Sequence, residues 1–569
     1  MPFLFLAMNP SATASRRAFG VIALALLAAL SAALYAPYFH NPLLFDDRFF
    51  FSGRGFSHYA ASPFGLGIRI PAYFSLAIVE TTIGGIQAHR ITSLVLHVAC
   101  AGALYALARA LQLRPLAAFA GAALFAVHPV AVYGAGYLVQ RSMLLATLFS
   151  LLSLLMFLRG QRNASASDLV AAALLYSLAV LSKEHAILLP ATALALAPLG
   201  GIGPRAALRN TAIYWAACAP AALFVVLLSK GIIGQAYEPY FDAVATQATN
   251  AHWGDVLASP WVGSAIVQAA LFFQYIALWL APMTSAMSLD LRVQFAELWS
   301  PAVALPAVFA FCGWIALATY LLFRRGRIGV AAWGALYFWI MFIPELATVR
   351  YQEPFVLYRS YLWAPGLVVA VAAGFDWLAS PRRVLAVLVP ALGVLAWQAH
   401  DRLESLSSGL AAWEDAVAKL PAGAIPGGYR PLYEVGREYL YAGRVRDAVR
   451  VTDRCMALYP TTFDCYFARG AIHMELKEYE KALPYIVRAA RLRPADGGTR
   501  HHLGLILENL GCVDDAMAQY RLATQLRFAG AEYRIERLVS PGSGLLPPQA
   551  EPPVIRGDCA RLLGKTPAG

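Results

Sequence analysis

The sequence predicts an all-α protein in two parts: a polytopic helical membrane domain over residues 1–400 and a soluble helical solenoid over 401–540. An irregular tail, 541–569, follows. Three observations predict this. Of the 569 residues, 59% are hydrophobic and only 14% charged, against about 25% charged in a soluble globular chain. Apolar windows of about 17–25 residues, each long enough to cross a bilayer, recur through residues 1–400. The polar remainder repeats with a period of 34, seen in Gly436, Gly470 and Gly504.

The first apolar run, 18–36, follows Arg16 and Arg17 and ends in "YAPYF" rather than a cleavage site. It reads as an uncleaved anchor. Further runs occupy 91–111, 117–136, 140–158, 168–182, 186–200, 211–230, 262–281, 301–323, 328–345, 361–379 and 384–400. The net charge of +12 is no sign of nucleic-acid binding, because most Lys and Arg lie in short loops between these runs, where they set topology. With Arg16 inside, Arg114, Arg159/Arg162 and Arg205/Arg209 also fall inside. Arg324/Arg325/Arg327 and Arg382/Arg383 do so only if 262–281 fails to cross. That segment, bounded by prolines, is expected to dip into the membrane and return or to lie along it. Eleven segments then cross, with the N-terminus cytoplasmic and the C-terminal domain outside, in the periplasm of a bacterial inner membrane.

This topology gathers five polar clusters on the outer face: "FDDR" (45–48), "HP" with "YLVQR" (128–129, 137–141), "SKEH" (182–185), the Asp290 region and "YRSYL" (358–362). Ionisable groups at a membrane are costly and mark candidate function. Singly, each is as readily a solvated loop; five on one face argue for a site. Adjacent carboxylates, Asp46 and Asp47, can supply a general base for an acceptor hydroxyl. Arg141, Lys183 and Arg359 can meet a leaving phosphate. The pair could also hold Mg²⁺ or Mn²⁺. No His/Cys set has zinc spacing.

In the solenoid, Ala448, Ala482 and Ala516 keep the glycine register, and Pro460 and Pro494 close the first two units. Tyr466, Gly470, Ala482 and Pro494 occupy the large, small, small and proline positions of a tetratricopeptide repeat. Arg469 stands where leucine is usual, and Phe528 replaces the third proline. The repeats read either as a protein-binding groove or as a packing platform. Four of the seven cysteines lie here, and an oxidising compartment permits the pairs Cys455–Cys465 and Cys512–Cys559. Cys100, Cys218 and Cys312 read as small apolar residues of spans.

With these motifs the chain resembles the membrane-integral glycosyltransferases of the GT-C fold, in particular the tetratricopeptide-containing O-mannosyltransferase-like family and its bacterial relatives. "FDDR" matches the acidic pair of the first outer loop. Arg69, His89 and His97 loosely match one family stretch. His128, Pro129, Tyr137, Gln140 and Arg141 match another, Lys183 and Glu184 a third, and Tyr275, Pro282 and Asp290 a fourth. Tyr358, Arg359, Tyr361, Leu362 and Gly366 match the element near the last spans. Tyr133 and Leu357 replace the family's Glu residues, and Tyr358 replaces its His, which puts the sugar specificity in doubt more than the reaction class. The resemblance implies a polyprenyl-phosphate-linked sugar as donor and a protein or glycan hydroxyl as acceptor, with Asp46/Asp47 as base. Arg141, Lys183, Arg359, Tyr361 and Gln140 would face the donor, and Arg69, His89, His128, Tyr137, Glu184 and Tyr358 would line the pocket. An oligosaccharyltransferase using a diphosphate carrier, and a non-catalytic membrane scaffold displaying the repeats, are the alternatives.

Overall fold

The computed structural model of the protein describes residues 14–52, 59–61, 67–235, 259–351 and 353–539. It divides into two compact units, Met1–Asp415 and Ala416–Gly569. The first unit therefore runs past residue 400: the Pro381–Glu404 helix ends there, and the Gly409–Ala418 helix begins within it. Among the described residues the regular structure is helical, with one isolated bridge, Leu291 to Phe355.

Among the described residues of the first unit, eight helices are long and apolar enough to cross a membrane, or nine if the bent pair Pro115–Ala126 and Pro129–Ala135 is one span. Ala166–Ser182, Glu184–Leu199 and Ala364–Trp377 are shorter apolar helices. Hydrogen bonds sort the loops into two ends of the bundle. At one, Asp376 accepts from the backbone (2.9 Å) and guanidinium (2.8 Å) of Arg114 and pairs with Arg327. Arg162 donates to Ala110 O (2.7 Å) and Gly200 O (3.4 Å), and Gln161 to Thr211 (3.2 Å). This end thus gathers the loops that carry the basic clusters. At the other end Asn41 donates to Leu403 O (3.1 Å), Arg69 pairs with Glu184 (2.8 Å), and Arg359 pairs with Glu345 (3.0 Å).

The Pro260–Leu280 helix behaves differently. Trp261 Nε1 donates to Leu346 O (2.7 Å), and Pro260 O accepts from Tyr351 (2.7 Å), so the helix starts at the second end. Pro282 follows its last turn, where a residue before proline leaves the helical region. The chain then passes Met287, whose carbonyl takes Arg402 (2.7 Å), and returns to the helix start, where Trp299 Nε1 donates to Gly263 O (3.1 Å). The helix itself is unbroken over 21 residues. An unbroken helix leaves no turn for a dip and return within the apolar run, one of the two arrangements expected; the other was a segment lying along the membrane, and the last turn stays among second-end residues, where Trp279 Nε1 donates to Ser360 (2.9 Å).

Small residues let helices approach. A Cβ on Gly334 would stand 2.3 Å from Gly366 O, and one on Gly366 2.2 Å from Gly334 O. The Gly326–Phe342 and Ala364–Trp377 helices therefore cross backbone to backbone there.

In the second unit the 34-residue period becomes paired helices: Tyr429–Tyr441 with Val445–Leu458, Phe463–Glu475 with Tyr479–Leu492, and Gly497–Asn509 with Val513–Gln525. Ala531–Val539 follows. The register glycines face Thr452, Ile486 and Tyr520, themselves in register, where a Cβ would come within 3.1, 2.5 and 2.6 Å. The first helices end on left-handed residues, Gly443, Lys477 and Gly511, again one per repeat. Cys455 and Cys465 form a disulfide. Cys512 is itself disulfide-bonded, while Cys559, the partner expected for it, lies outside the described residues, as does the tail.

Candidate active site

The first loop is fixed before it is functional. Arg90, in the second turn of the Ile86–Ala110 helix, donates from Nε and Nη2 to Asn41 O (3.0 and 2.7 Å), from Nη2 to Pro42 O (2.9 Å) and from Nη1 to Gly136 O (2.8 Å). One buried guanidinium thus ties the loop before "FDDR" to the loop before "YLVQR". A rigid fork of donors suits this better than an ammonium would.

The two aspartates then diverge. Asp47 is buried, and its carboxylate accepts from Val139 N–H (2.7 Å) and Leu138 N–H (3.3 Å). Burial pushes its pKa up to about 7, opposed by the Val139 hydrogen bond and by Arg90. Asp46 is exposed, and its backbone N–H donates to the Tyr137 hydroxyl (2.9 Å). One carboxylate braces the neighbouring loop and the other faces solvent. The two backbone N–H bonds on the Asp47 carboxylate compete with any Mg²⁺ or Mn²⁺ that the pair would share. Among the described residues no group of three or more His, Cys, Asp or Glu could hold a metal.

A cation-rich wall faces the same end of the bundle. Arg69 grips Glu184 with two hydrogen bonds, 2.8 and 3.2 Å. Lys183 Nζ lies 4.0 Å from the same carboxylate. His185 has its ring nitrogens 2.8 Å from Glu345 and 3.4 Å from Glu184. Glu345 also pairs with Arg359 (3.0 Å) and Arg350 (3.6 Å), and Arg359 reaches Glu353 (3.6 Å). Burial, with Arg69 adding to it, pulls Lys183 down to about 7. Arg359 is buried too, yet Glu345 and then Tyr358 and Glu353 hold its pKa above the usual arginine value. Tyr358 links this wall to Asp46: its ring lies 6.1 Å from that of Tyr137, and burial pushes its phenol up to about 12, with Arg359 opposing and Glu353 and Asp46 adding.

Other expected residues lie elsewhere. Arg141 is fully buried and donates to Ser75 O (3.0 Å), His89 O (2.8 Å) and Ser93 (3.4 Å), so its charge meets the scaffold and not a phosphate. Tyr361, expected to face the donor, is core: its hydroxyl bonds His97 (2.8 Å) and its ring fills the space beside Gly134. Gln140 is buried next to Arg141 in sequence. His89 pairs with Glu80 (2.9 Å). His128 caps a turn through Val130 N–H (3.3 Å), donates to Trp279 O (3.2 Å) and stacks on that indole at 4.3 Å, which occupies both nitrogens. Asp290 is held by Arg292 in two bonds of 2.5 Å, and the Leu291–Phe355 bridge sets it beside the chain leading to "YRSYL". Arg90, Glu345 and Arg350 carry no sequence expectation, and His185 enters only as the last residue of "SKEH". The signal for Glu345 is a lone charge within an apolar stretch.

Residues 71–229 match the family described as dolichyl-phosphate-mannose-protein mannosyltransferase, and 463–496 match the tetratricopeptide repeat. The first match covers Arg90, Lys183 and Glu184 but neither Asp46 nor Arg359. No curated protein matches the chain. Among solved structures, the crystal structure of MamA is similar at 22% identity over 24% of this chain and 77% of that one, with a TM-score of 0.21. The chain thus joins a membrane helical domain of GT-C type, in which residues 71–229 indicate a glycosyltransferase, to tetratricopeptide repeats.

Proposed function

We propose that the protein transfers a sugar from a polyprenyl-phosphate-linked donor to a hydroxyl of a protein or glycan acceptor. Asp46 accepts the proton of that hydroxyl as its oxygen attacks the anomeric carbon. The bond from that carbon to the phosphate oxygen breaks, and the phosphate leaves toward Lys183, Arg350 and Arg359. Charge that develops on the leaving group is met by groups already in place. The observation that carries this reading is an exposed aspartate, its backbone N–H on the Tyr137 hydroxyl, across the Tyr137 and Tyr358 rings from a wall of largely buried cations. The 71–229 match favours mannose as the sugar. Asp47, Arg69, Glu184 and Arg141 are positioning groups in this scheme.

The reading includes a topology. Of the nine spans, Pro260–Leu280 with its return chain begins and ends on one side; with the three shorter helices, eleven crossings remain. The basic loops then stay in the cytoplasm of a bacterial inner membrane. The site and the exit of the chain toward the repeats lie on the periplasmic side, where the Cys455–Cys465 bridge suits an oxidising compartment. The repeats would hold a protein acceptor. The test is transfer from labelled polyprenyl-phosphate mannose to envelope protein by wild type and Asp46→Asn at matched expression. Equal transfer by the two would remove the catalytic role of Asp46.

A further inference from the structure

Phe45, the residue before Asp46, has φ of 44°. That left-handed region is costly for a residue with a side chain, and such a conformation persists only where its surroundings hold it. Phe45 is also the hinge of the short helix Asp46–Ser52. Its carbonyl takes Arg48 N–H (3.0 Å), and the Leu44 carbonyl takes Asp47 N–H (2.8 Å). A rotation at Phe45 would swing the Asp46 carboxylate.

Trp413 meets this hinge. Its indole is 3% exposed and stands edge-on to the Phe45 ring, with centroids 5.7 Å apart at 75°. Trp413 is anchored in turn. Two residues on, Asp415 pairs with Arg402 (3.0 Å), which also donates to Met287 O (2.7 Å). Leu403, next to Arg402, accepts from Asn41 (3.1 Å). Arg90 holds the start of the loop from within the bundle, and Trp413 braces its hinge from the Gly409–Ala418 helix.

We infer that Trp413 is a positioning residue for Asp46: through its edge contact with Phe45 it fixes the direction of the carboxylate that serves as base. The inference rests on the function proposed above. A base acts only within hydrogen-bonding reach of the proton it takes, and a shift of about 1 Å can cost on the order of 10²-fold in rate. The cation wall does not depend on this contact.

The experiment compares Trp413→Ala, Trp413→Phe, Phe45→Ala, the Phe45→Ala/Trp413→Ala double variant and Asp46→Asn in the full-length protein in detergent. The donor is polyprenyl-phosphate mannose, and thermal unfolding is recorded for each. Trp413→Ala is expected to lose about 10–100-fold in kcat with the donor KM within about twofold, and Trp413→Phe to recover most of the loss. Phe45→Ala should fall similarly, and the double variant should be no slower than the slower single one, as residues acting through one contact are not additive. Folded Trp413→Ala with wild-type kcat overturns the inference. So does a parallel loss of kcat and donor affinity, or a multiplicative double variant. Where Trp413→Ala does not insert, Phe45→Ala at wild-type kcat overturns it equally. Wild-type transfer by Asp46→Asn would sink the function itself; an inactive Asp46→Asn beside an unaffected Trp413→Ala sinks only the role of Trp413.

Discussion

Replacing each member of the aspartate pair by Asn should separate chemistry from architecture. Asp46 is exposed, so Asn there should leave stability within about 0.5 kcal/mol while lowering kcat by about 10²–10⁴, the usual contribution of a positioned base. Asp47→Asn removes one of two acceptors. The shorter bond, from Val139, can be kept, but Leu138 N–H then faces an amide nitrogen. An unsatisfied buried donor costs about 1–3 kcal/mol. Against this, the wild-type carboxylate is itself costly when ionised. Its pKa stands near 7 instead of 3.8, a difference of about 3 units, or roughly 4 kcal/mol at most. A raised acid pKa means that the folded state holds its proton longer, so this contribution is full below about pH 4 and is lost as pH rises toward 7. Asp47→Asn should abolish that part of the pH dependence and keep measurable turnover. Thermal unfolding in detergent from pH 4 to 8, with transfer rates at fixed protein amount, reads both. Identical behaviour of the two variants in rate and in pH–stability profile would refute the division between them.

Three further outcomes follow from the geometry. Lys183 titrates near 7 in the free protein, and a bound phosphate favours its charged form. Affinity for a soluble short-chain polyprenyl phosphate should therefore fall above pH 7 by up to about tenfold per unit, and Lys183→Met should bind more weakly with that dependence gone, as read by calorimetry. Gly334→Ala would drive a Cβ onto Gly366 O at 2.3 Å, so the thermal midpoint should drop by the equivalent of about 1–3 kcal/mol. Lys477, at φ 58° where the other repeats have glycine, should gain about 0.5–1 kcal/mol on replacement by Gly, measured by denaturant unfolding of the full-length protein.

The solenoid was legible because each repeat must solve the same packing problem. Gly470 lies against Ile486 for the same reason that Gly504 lies against Tyr520, and such a reason leaves a period in the sequence. The gathering of polar clusters was legible through charge counting, which needs only the signs of loops. What was not legible is the direction of a side chain. Arg90, Arg141 and Arg359 all read as an arginine near an apolar run. Their roles differ because Arg90 and Arg141 meet main-chain carbonyls and Arg359 meets carboxylates. Nor could the spacing of Asp46 and Asp47 reveal that successive positions of one helical turn face opposite environments. Trp413 carried no signal, since its partner lies 368 residues away in sequence and is a phenylalanine.

The distinction among cations bears on the donor. A guanidinium that gives its hydrogen bonds to carbonyls, as Arg90 does to Asn41, Pro42 and Gly136, keeps a whole positive charge but has committed most of its donors. On the wall, Arg69, Lys183, Arg350 and Arg359 stand against Glu184, Glu345 and Glu353: four cations against three carboxylates among the described residues. With the His185 ring between Glu184 and Glu345 counted as neutral, a protonated Lys183 leaves one positive charge in excess and a neutral one leaves the wall balanced. Burying an unbalanced charge is costly, which is why the fold pulls the Lys183 pKa down. An arriving anion reverses that balance and recruits the proton. A single excess charge suits one phosphodiester, as in a polyprenyl-monophosphate sugar, better than the doubly charged diphosphate of an oligosaccharide carrier. The charge count of the wall therefore favours transfer of a monosaccharide.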